Sequence, residues 1–550
     1  MIPQPFTGVG RRGGTAVAQG LLESSLGYFR GPLLLVLIAA ACAVLQPPEA
    51  LGEAARPNIL FIMSDDHAAQ AISAYGSKVN QTPNMDRLGA QGVRLTRCFA
   101  VNSICTPSRA TILTGQYSHK NGVPVFNNLD PAKVTVAQRL RDAGYFTAMI
   151  GKWHLGSDPQ GFDEWNILPG QGRYVDPVLY DRDGYRTYKG YVTDVLTDLT
   201  IDLLKRRPKE KPFFIMCHQK APHREWTPDE KHRLQFAGRR IPEPATLRDD
   251  YAGRAGALRE QKQSVFNDLT RNDLKLVPPA DLTPPEKVRW LGEKPTEVEI
   301  DRDGVKVKLV GEELKSWKYQ RYLQDYLACV QSVDDNVGRL MDWLDANGLG
   351  QNTLVIYTSD QGFFLGEHGL YDKRFMYEES LRMPFLARWP QGIKPGTVAD
   401  AIAINCDFAP TFLDLAGAPI PADMQGQSLV PVFQGGTPAG WRTSMYYRYY
   451  HDPGHHNTRA HYGIRTETHK LIHYWKSDEW EFYDLTADPE EMKNLYGDLG
   501  SQVLVSELKA RLMKLKKELG DTDQFAEQLP GDTVDARPKQ LDHKHADSPL

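Results

Sequence analysis

A cysteine opens a proline-started segment at Cys105-Thr106-Pro107-Ser108-Arg109, followed at once by Ala110-Thr111-Ile112-Leu113-Thr114-Gly115. Proline suits the first turn of a helix, where its missing N–H costs nothing. A helix start offers unpaired N–H groups and the positive end of the helix dipole, so Cys105 stands where an anion is favoured. Arg109, one turn on, can fork onto two oxygens of a carboxylate, phosphate or sulfate. Taken alone, a cysteine near a helix start is usually a small buried hydrophobe. What separates the two readings is the other chemistry-bearing residues further along the chain.

Asp65-Asp66 follows the apolar run Asn58 to Ser64, and Asp360-Gln361 follows a second run, Thr353 to Thr358. Continuous apolar runs of this length read as strands buried on both faces. Three carboxylates and one amide oxygen at two strand ends suit a hard divalent cation, and an all-protein oxygen cage is more the habit of calcium than of magnesium. A lone Asp-Asp pair is more often a turn or a helix cap. Gly151-Lys152-Trp153-His154-Leu155-Gly156 ends a strand at Tyr145 to Ile150. Lys220-Ala221-Pro222-His223 follows another, Pro212 to Cys217.

Cys105-Thr106-Pro107-Ser108-Arg109-Ala110, with its Leu113-Thr114-Gly115, resembles the signature of the type I sulfatases. The resemblance runs from about Pro57 to Leu519, apart from residues 225–317. It implies an alkaline-phosphatase-like fold. It also implies that Cys105 is oxidised to formylglycine by a formylglycine-generating or other sulfatase-maturing enzyme, the hydrate being the nucleophile. One Ca²⁺ would be bound beside it by Asp65, Asp66, Asp360 and Gln361, with position 105 itself a ligand. Gln361 departs from the asparagine or histidine of several family branches, yet it offers the same type of oxygen as asparagine. The Gly151–Gly156 run matches a second signature. Its Lys152 would hold a sulfate oxygen and the formylglycine hydroxyl, and His154 would be the base of the second half-reaction. His223 would donate a proton to the leaving alcohol, with His218 as competitor. Lys373 would be a second sulfate-binding lysine, with Arg374 as its alternative. Arg109 would orient the formylglycine, and Asp360 would help activate it.

Three further segments, Asn102–Cys105, Leu168–Tyr174 and His461–Thr466, are similar to N-acetylglucosamine-6-sulfatases. That similarity implies exo-removal of a 6-sulfate from a terminal glucosamine, with Arg173, His456 and His461 lining the sugar pocket and His455 a weaker candidate. The alternatives are a sulfatase for a uronate 2-sulfate or a galactose sulfate, a phosphoesterase or phosphonate hydrolase of the same superfamily, and a glycan-binding pseudoenzyme. The last would need an unconverted Cys105 or a lost ligand.

The elements that must hold these residues are legible as well. A chain of 550 residues exceeds one small core. Its net charge of −4 argues against general nucleic-acid binding, which needs a basic face. Arg11, Arg12 and Arg30 precede an apolar run from Leu33 to Leu45, too short for a stable membrane span and followed by Pro47-Pro48. We take residues 1–55 as an export signal and leader to a periplasmic or secreted destination. Lipoprotein anchoring through Cys42 is the less favoured reading. The six cysteines lack metal spacing, and their pairing is not legible. Strands alternating with helices predict an α/β fold with a large, mainly parallel sheet between helices over 56–436. Helices are predicted near 85–92, 135–143, 191–205 and 319–347, the last as one helix or two. Residues 225–317 are charged and proline-rich; they predict an insertion over or beside the cleft, with a hairpin at 297–310 turning at Asp303-Gly304. Residues 437–527 predict a smaller antiparallel sheet with a terminal helix, and 528–550 a disordered polar tail.

Overall fold

The computed structural model describes residues 56–534. The predicted signal and leader, with Cys42, and residues 535–550 lie outside them. Ten strands form the main sheet. In chain order they are β1 (Asn58–Ser64), β2 (Val93–Leu95), β3 (Phe146–Lys152), β4 (Glu164–Leu168), β5 (Val178–Asp181), β6 (Gly184–Thr187), β7 (Phe213–His218), β8 (Thr353–Ser359), β9 (Phe385–Arg388) and β10 (Thr397–Ala399). Across the sheet the order is β10-β2-β9-β8-β1-β7-β3-β4-β5-β6. The central block β8-β1-β7-β3-β4 is parallel throughout, and antiparallel pairs occur only outside it.

Alternation along β1 explains the layering. Leu60 and Ile62 point into one apolar core, shared with helices α1 (Pro83–Ala90), α4 (Val192–Arg206) and α5 (Gly311–Ala346). Ile59, Phe61 and Met63 point into the other, shared with α2 (Cys105–Thr114), α3 (Val136–Asp142) and α6 (Phe408–Leu415). Both faces of the sheet are therefore covered, which is why its central strands read as unbroken apolar runs. The predicted long helix is one helix of 36 residues. No described helix is long and apolar enough to cross a membrane.

A second, antiparallel sheet of four strands runs in order β11 (Ser444–Tyr449), β12 (His461–Thr466), β13 (His469–Tyr474), β14 (Glu479–Asp484). Val505, Leu508 and Leu512 of helix α7 (Gln502–Glu518) pack in its core. The hairpin pairs Val298–Arg302 with Val305–Leu309, and Asp303 and Gly304 both take positive φ at the turn.

Two expectations are revised. Residues 225–317 are not a mere cover: Trp226, Phe236, Ile241, Leu247, Val265 and Leu269 are buried in the same core as α4 and α5. Their irregular spacing hides this, because short turns rather than one periodic helix deliver them. The tail is ordered at least to Val534. Thr533 and Val534 donate their N–H groups to the Phe126 carbonyl at 2.8 and 2.9 Å, and Val534 is buried. Polar composition says nothing about a backbone that finds a free carbonyl to pair with. The described cysteines, Cys98, Cys105, Cys217, Cys329 and Cys406, are all free and buried.

Candidate active site

Register brings the acid pairs together. Parallel pairing sets Ser64 of β1 opposite Ser359 of β8, so Asp65-Asp66 and Asp360-Gln361 leave neighbouring strands at the same level. His218 of β7 pairs with Met63 on one side and Gly151 on the other, which carries Lys152 to the same edge. Carboxyl ends of parallel strands are where such sheets gather ligands. Gly151 is required there: its φ is +103°, and a Cβ would lie 2.0 Å from the His218 carbonyl oxygen.

Helix α2 is buried along its whole length, with Cys105 at its N-terminus. Two side chains pin it to the acid loop. The Ser108 hydroxyl donates to the Asp360 carbonyl and accepts from the Asn405 amide at 2.9 Å. Arg109 donates from Nε and Nη2 to Asp360 Oδ2 at 3.0 and 2.8 Å, and from Nη1 to the Lys152 carbonyl at 2.7 Å. Burial works against its charge, but Asp360 and Asp65 outweigh it and hold Arg109 above its ordinary pKa. Its donors are thus committed to the protein.

Carboxylate oxygens of Asp65, Asp66 and Asp360 lie within 4.8 Å of one another, all fully buried. Lys152 is ion-paired with Asp65, and Lys373 with Asp66. Gln361 donates its amide N–H to Asp66. Asp65 Oδ1 and Gln361 Oε1 are buried with no hydrogen-bond partner. A buried acceptor left unpaired costs about 1–3 kcal/mol, so these two, one on the carboxylate cluster and one beside it, are what a divalent cation would satisfy. Electrostatics agree. Burial raises the Asp66 pKa well above the usual range; Lys373 opposes this, and Asp65, Asp360 and Asp372 add to it. Burial also penalises Asp65, but Lys152, His223, Arg109 and Lys373 outweigh it and hold it well below that range. The Cys105 thiol is pushed up, by burial first, against Lys152 and Lys373, so an unconverted cysteine would not be a ready thiolate.

The histidines separate by surroundings. His223 turns Nδ1 to the Arg224 carbonyl, while its Nε2 lies 3.7 Å from Asp66 Oδ2; ligand atoms of Cys105, Asp65 and His223 are within 4.8 Å of each other. His218 instead packs behind Arg109, its Nδ1 3.2 Å from the Lys152 carbonyl. The Thr106 hydroxyl donates to the His154 carbonyl at 3.0 Å and lies 3.2 Å from its Nδ1. Gln171 then joins two site residues. Its Nε2 is 3.2 Å from His154 Nε2, and its Oε1 accepts from Lys152 at 2.5 Å. Gln171 is the residue that sequence reasoning missed in the Leu168–Tyr174 segment, where attention fell on the exposed Arg173. Replacing it by alanine should lower kcat/KM by roughly 10–100-fold, the worth of one hydrogen bond to a charged group, with little change in stability, since Gln171 is only part-buried and Lys152 keeps Asp65 as partner. Steady-state kinetics beside a melting curve would check this.

The sugar-side candidates are distributed differently from expectation. His456 bridges Asp268 at 2.7 Å and Asp372 at 3.1 Å, and Asp372 also pairs with Arg374 at 2.6 Å. Lys373 is thus the lysine on the acid cluster, and Arg374 answers to Asp372. His461 does not line a cleft. It is fully buried among Phe375, Tyr447, Tyr449 and Tyr474, and burial lowers its pKa to about 4. Every residue of β12 is buried, on both faces, so alternation along the strand could not expose it. Asp66, His154, Asp372, Arg374 and His456 all take positive φ, a costly conformation that concentrates at functional loops.

Two family models match the chain: "Sulfatase" over residues 57–418 and "N-sulphoglucosamine sulphohydrolase, C-terminal" over 366–518. The chain belongs to the sulfatase family, and it is a sulfuric ester hydrolase. Formylglycine and a divalent metal are typical of that family. The chain is 48% identical to an N-acetylglucosamine-6-O-sulfatase of Bacteroides thetaiotaomicron, over 89% of this chain and 91% of that one. A solved structure in complex with its substrate D-glucosamine-2-N,6-O-disulfate superposes with a TM-score of 0.80 at 46% identity, covering 86% of this chain and all of the other. A phosphonate monoester hydrolase of Agrobacterium radiobacter, 21% identical, shares the fold with a TM-score of 0.61, covering 84% of this chain and 96% of that one.

Proposed function

We propose that this sulfatase removes the 6-O-sulfate from a terminal N-acetylglucosamine of a glycosaminoglycan or mucin glycan, after export and conversion of Cys105 to formylglycine. The observation that carries the reading is that two lysines, each ion-paired to one member of the Asp65-Asp66 pair, both act on Cys105. The similarity to a glucosamine 6-O-sulfatase supports the choice of sugar.

Formylglycine would supply one hydroxyl for attack at sulfur and a second for releasing sulfate, and Ca²⁺ held by Asp65, Asp66, Asp360 and Gln361 would supply positive charge beside it. Lys152 and Lys373 bind the sulfate oxygens, where negative charge must be neutralised. Arg109 fixes Asp360 and the turn after Lys152, so it orients the site rather than the substrate. His223, its Nδ1–H held by the Arg224 carbonyl, turns Nε2 to the leaving oxygen; to deliver a proton there it must be the imidazolium, a form that burial and Lys152 disfavour and that the negative charge of bound sulfate would favour. Thr106 gives its hydrogen to the His154 carbonyl, so it accepts from Nδ1–H; Nε2, which accepts from the Gln171 amide, is the atom that takes a proton when sulfate departs.

The test combines a mass spectrum of the Cys105 peptide from the native host with sulfate release from 6-sulfated N-acetylglucosamine. Formylglycine and release are expected, with loss of activity in EGTA and recovery in Ca²⁺. An unmodified thiol would sink the mechanism. Release only from a 2-sulfated uronate or a sulfated galactose would refute the sugar. Equal recovery in Mg²⁺ would refute the choice of metal.

A further inference from the structure

The segment Gly531–Val534 meets a loop more than four hundred residues earlier in the chain. Thr533 and Val534 donate to the Phe126 carbonyl, Phe126 N–H donates to Asp532 Oδ1 at 3.2 Å, and the Thr533 hydroxyl donates to Asn128 at 3.1 Å. Val534 is buried, so the contact is anchored by an apolar side chain and not by polar groups alone. Asp532 also reaches the other side: its carboxylate is 3.2 Å from His451 Nε2 and 4.0 Å from His455 Nε2. The rings of His451 and His455 stack at 6.2 Å, and both lie against Phe126, at 5.9 and 5.2 Å. Phe126 in turn lies 6.1 Å from the ring of His154, which belongs to the catalytic cluster.

We infer that this C-terminal strap builds the outer wall of the sugar pocket, with Asp532 a positioning residue that holds the His451–His455 loop against Phe126 beside His154. The half-exposed His455 ring is the surface this wall offers to a sugar face or hydroxyl. The strap bears on binding of the sugar and leaves the sulfate-binding lysines untouched. No contact of residues 531–534 reaches Cys105, Lys152 or Lys373 among the described residues. The inference rests on the reading of this site as a carbohydrate sulfatase.

The experiment compares the full-length protein with Asp532→Asn and with a chain ending at Pro530. The substrate is whichever sugar the wild type turns over best among 6-sulfated N-acetylglucosamine, a 2-sulfated uronate and a sulfated galactose. Amide exchange of residues 451–457 is followed alongside. Loss of one charge-assisted contact should raise KM about tenfold in Asp532→Asn, and more in the truncation. Turnover number and inhibition by inorganic sulfate should stay near wild type, while exchange at 451–457 speeds up. Unchanged exchange would mean that the strap does not hold the loop. Faster exchange with unchanged KM would mean that the loop does not bind sugar. Either result overturns the inference. Asp532→Asn keeps shape and volume, so it carries the test if the truncated chain fails to fold. Wild-type preference for another sugar would refute the 6-sulfate reading while the strap is still tested on the sugar accepted, and exchange reports on it without any turnover.

Discussion

Cys105→Ala should reduce turnover by at least about 10⁴-fold while the protein still folds. The side chain is buried at the head of α2, with Lys152 and Lys373 close enough to favour negative charge on it. Neither lysine depends on it for a partner, since each is paired with an aspartate. The substitution removes only the oxygens of the formylglycine side chain, or the sulfur of an unconverted Cys105, from a packed site, a loss of about 1 kcal/mol at most by analogy with small core truncations. Sulfate release and a thermal melt, run on the same preparation with calcium present, would decide the matter. Residual activity above about one part in a thousand would mean that another group attacks sulfur, because binding and charge neutralisation alone leave little of a nucleophile's contribution.

Arg109→Ala should be the most damaging substitution for stability and activity together. The guanidinium is buried, gives two hydrogen bonds to Asp360 and a third to the Lys152 carbonyl, and lies 3.6 Å from Asp65. Its loss would strand Asp360 in a buried cluster that also holds the carboxylates of Asp65 and Asp66. Breaking a buried pair in this way typically costs about 3–5 kcal/mol. Activity should fall with it, because both the acid loop and the turn that carries Lys152 lose their common brace. Arg109→Lys should recover part of the stability but little activity, since an ammonium keeps the charge without the planar fork. Calcium should narrow the difference in melting temperature, by binding the same carboxylates in the native state. Thermal unfolding at graded calcium, with kinetics on both variants, checks this. An unchanged melting temperature with only KM raised would assign Arg109 to the substrate instead.

The catalytic half of the site was legible for a definite reason. Asp65, Asp66, Asp360, Lys152 and His223 each follow an apolar run, and an apolar run marks where a strand ends. In a parallel sheet the strand ends share one edge, so residues hundreds of positions apart become candidates for one site before any contact is known. The sugar half was not legible in that way. His461 and Arg173 sit in segments that resemble a glucosamine sulfatase, yet one is enclosed by four aromatic rings and the other is exposed two residues beyond the side chain that touches the cluster. Gln171 is a glutamine in a glycine-rich loop, and nothing in its own neighbourhood says that it will meet Lys152 and His154.

The amino-acid sequence by itself determined the class of this protein. It also determined the central strands β1, β3, β7 and β8 and the helices near 85–92, 135–143, 191–205 and 319–347, the residue at the head of α2 and the acidic, basic and imidazole groups gathered at one edge of the sheet, because periodicity and strand ends are local properties of a chain. Tertiary structure alone decided which donor meets which acceptor. It turned Arg109 to Asp360, committed His456 to Asp268 and Asp372, enclosed His461 and set residues 532–534 against Phe126. Those pairings depend on register between distant strands and on which buried groups still need a partner, and neither is written in the residues on either side.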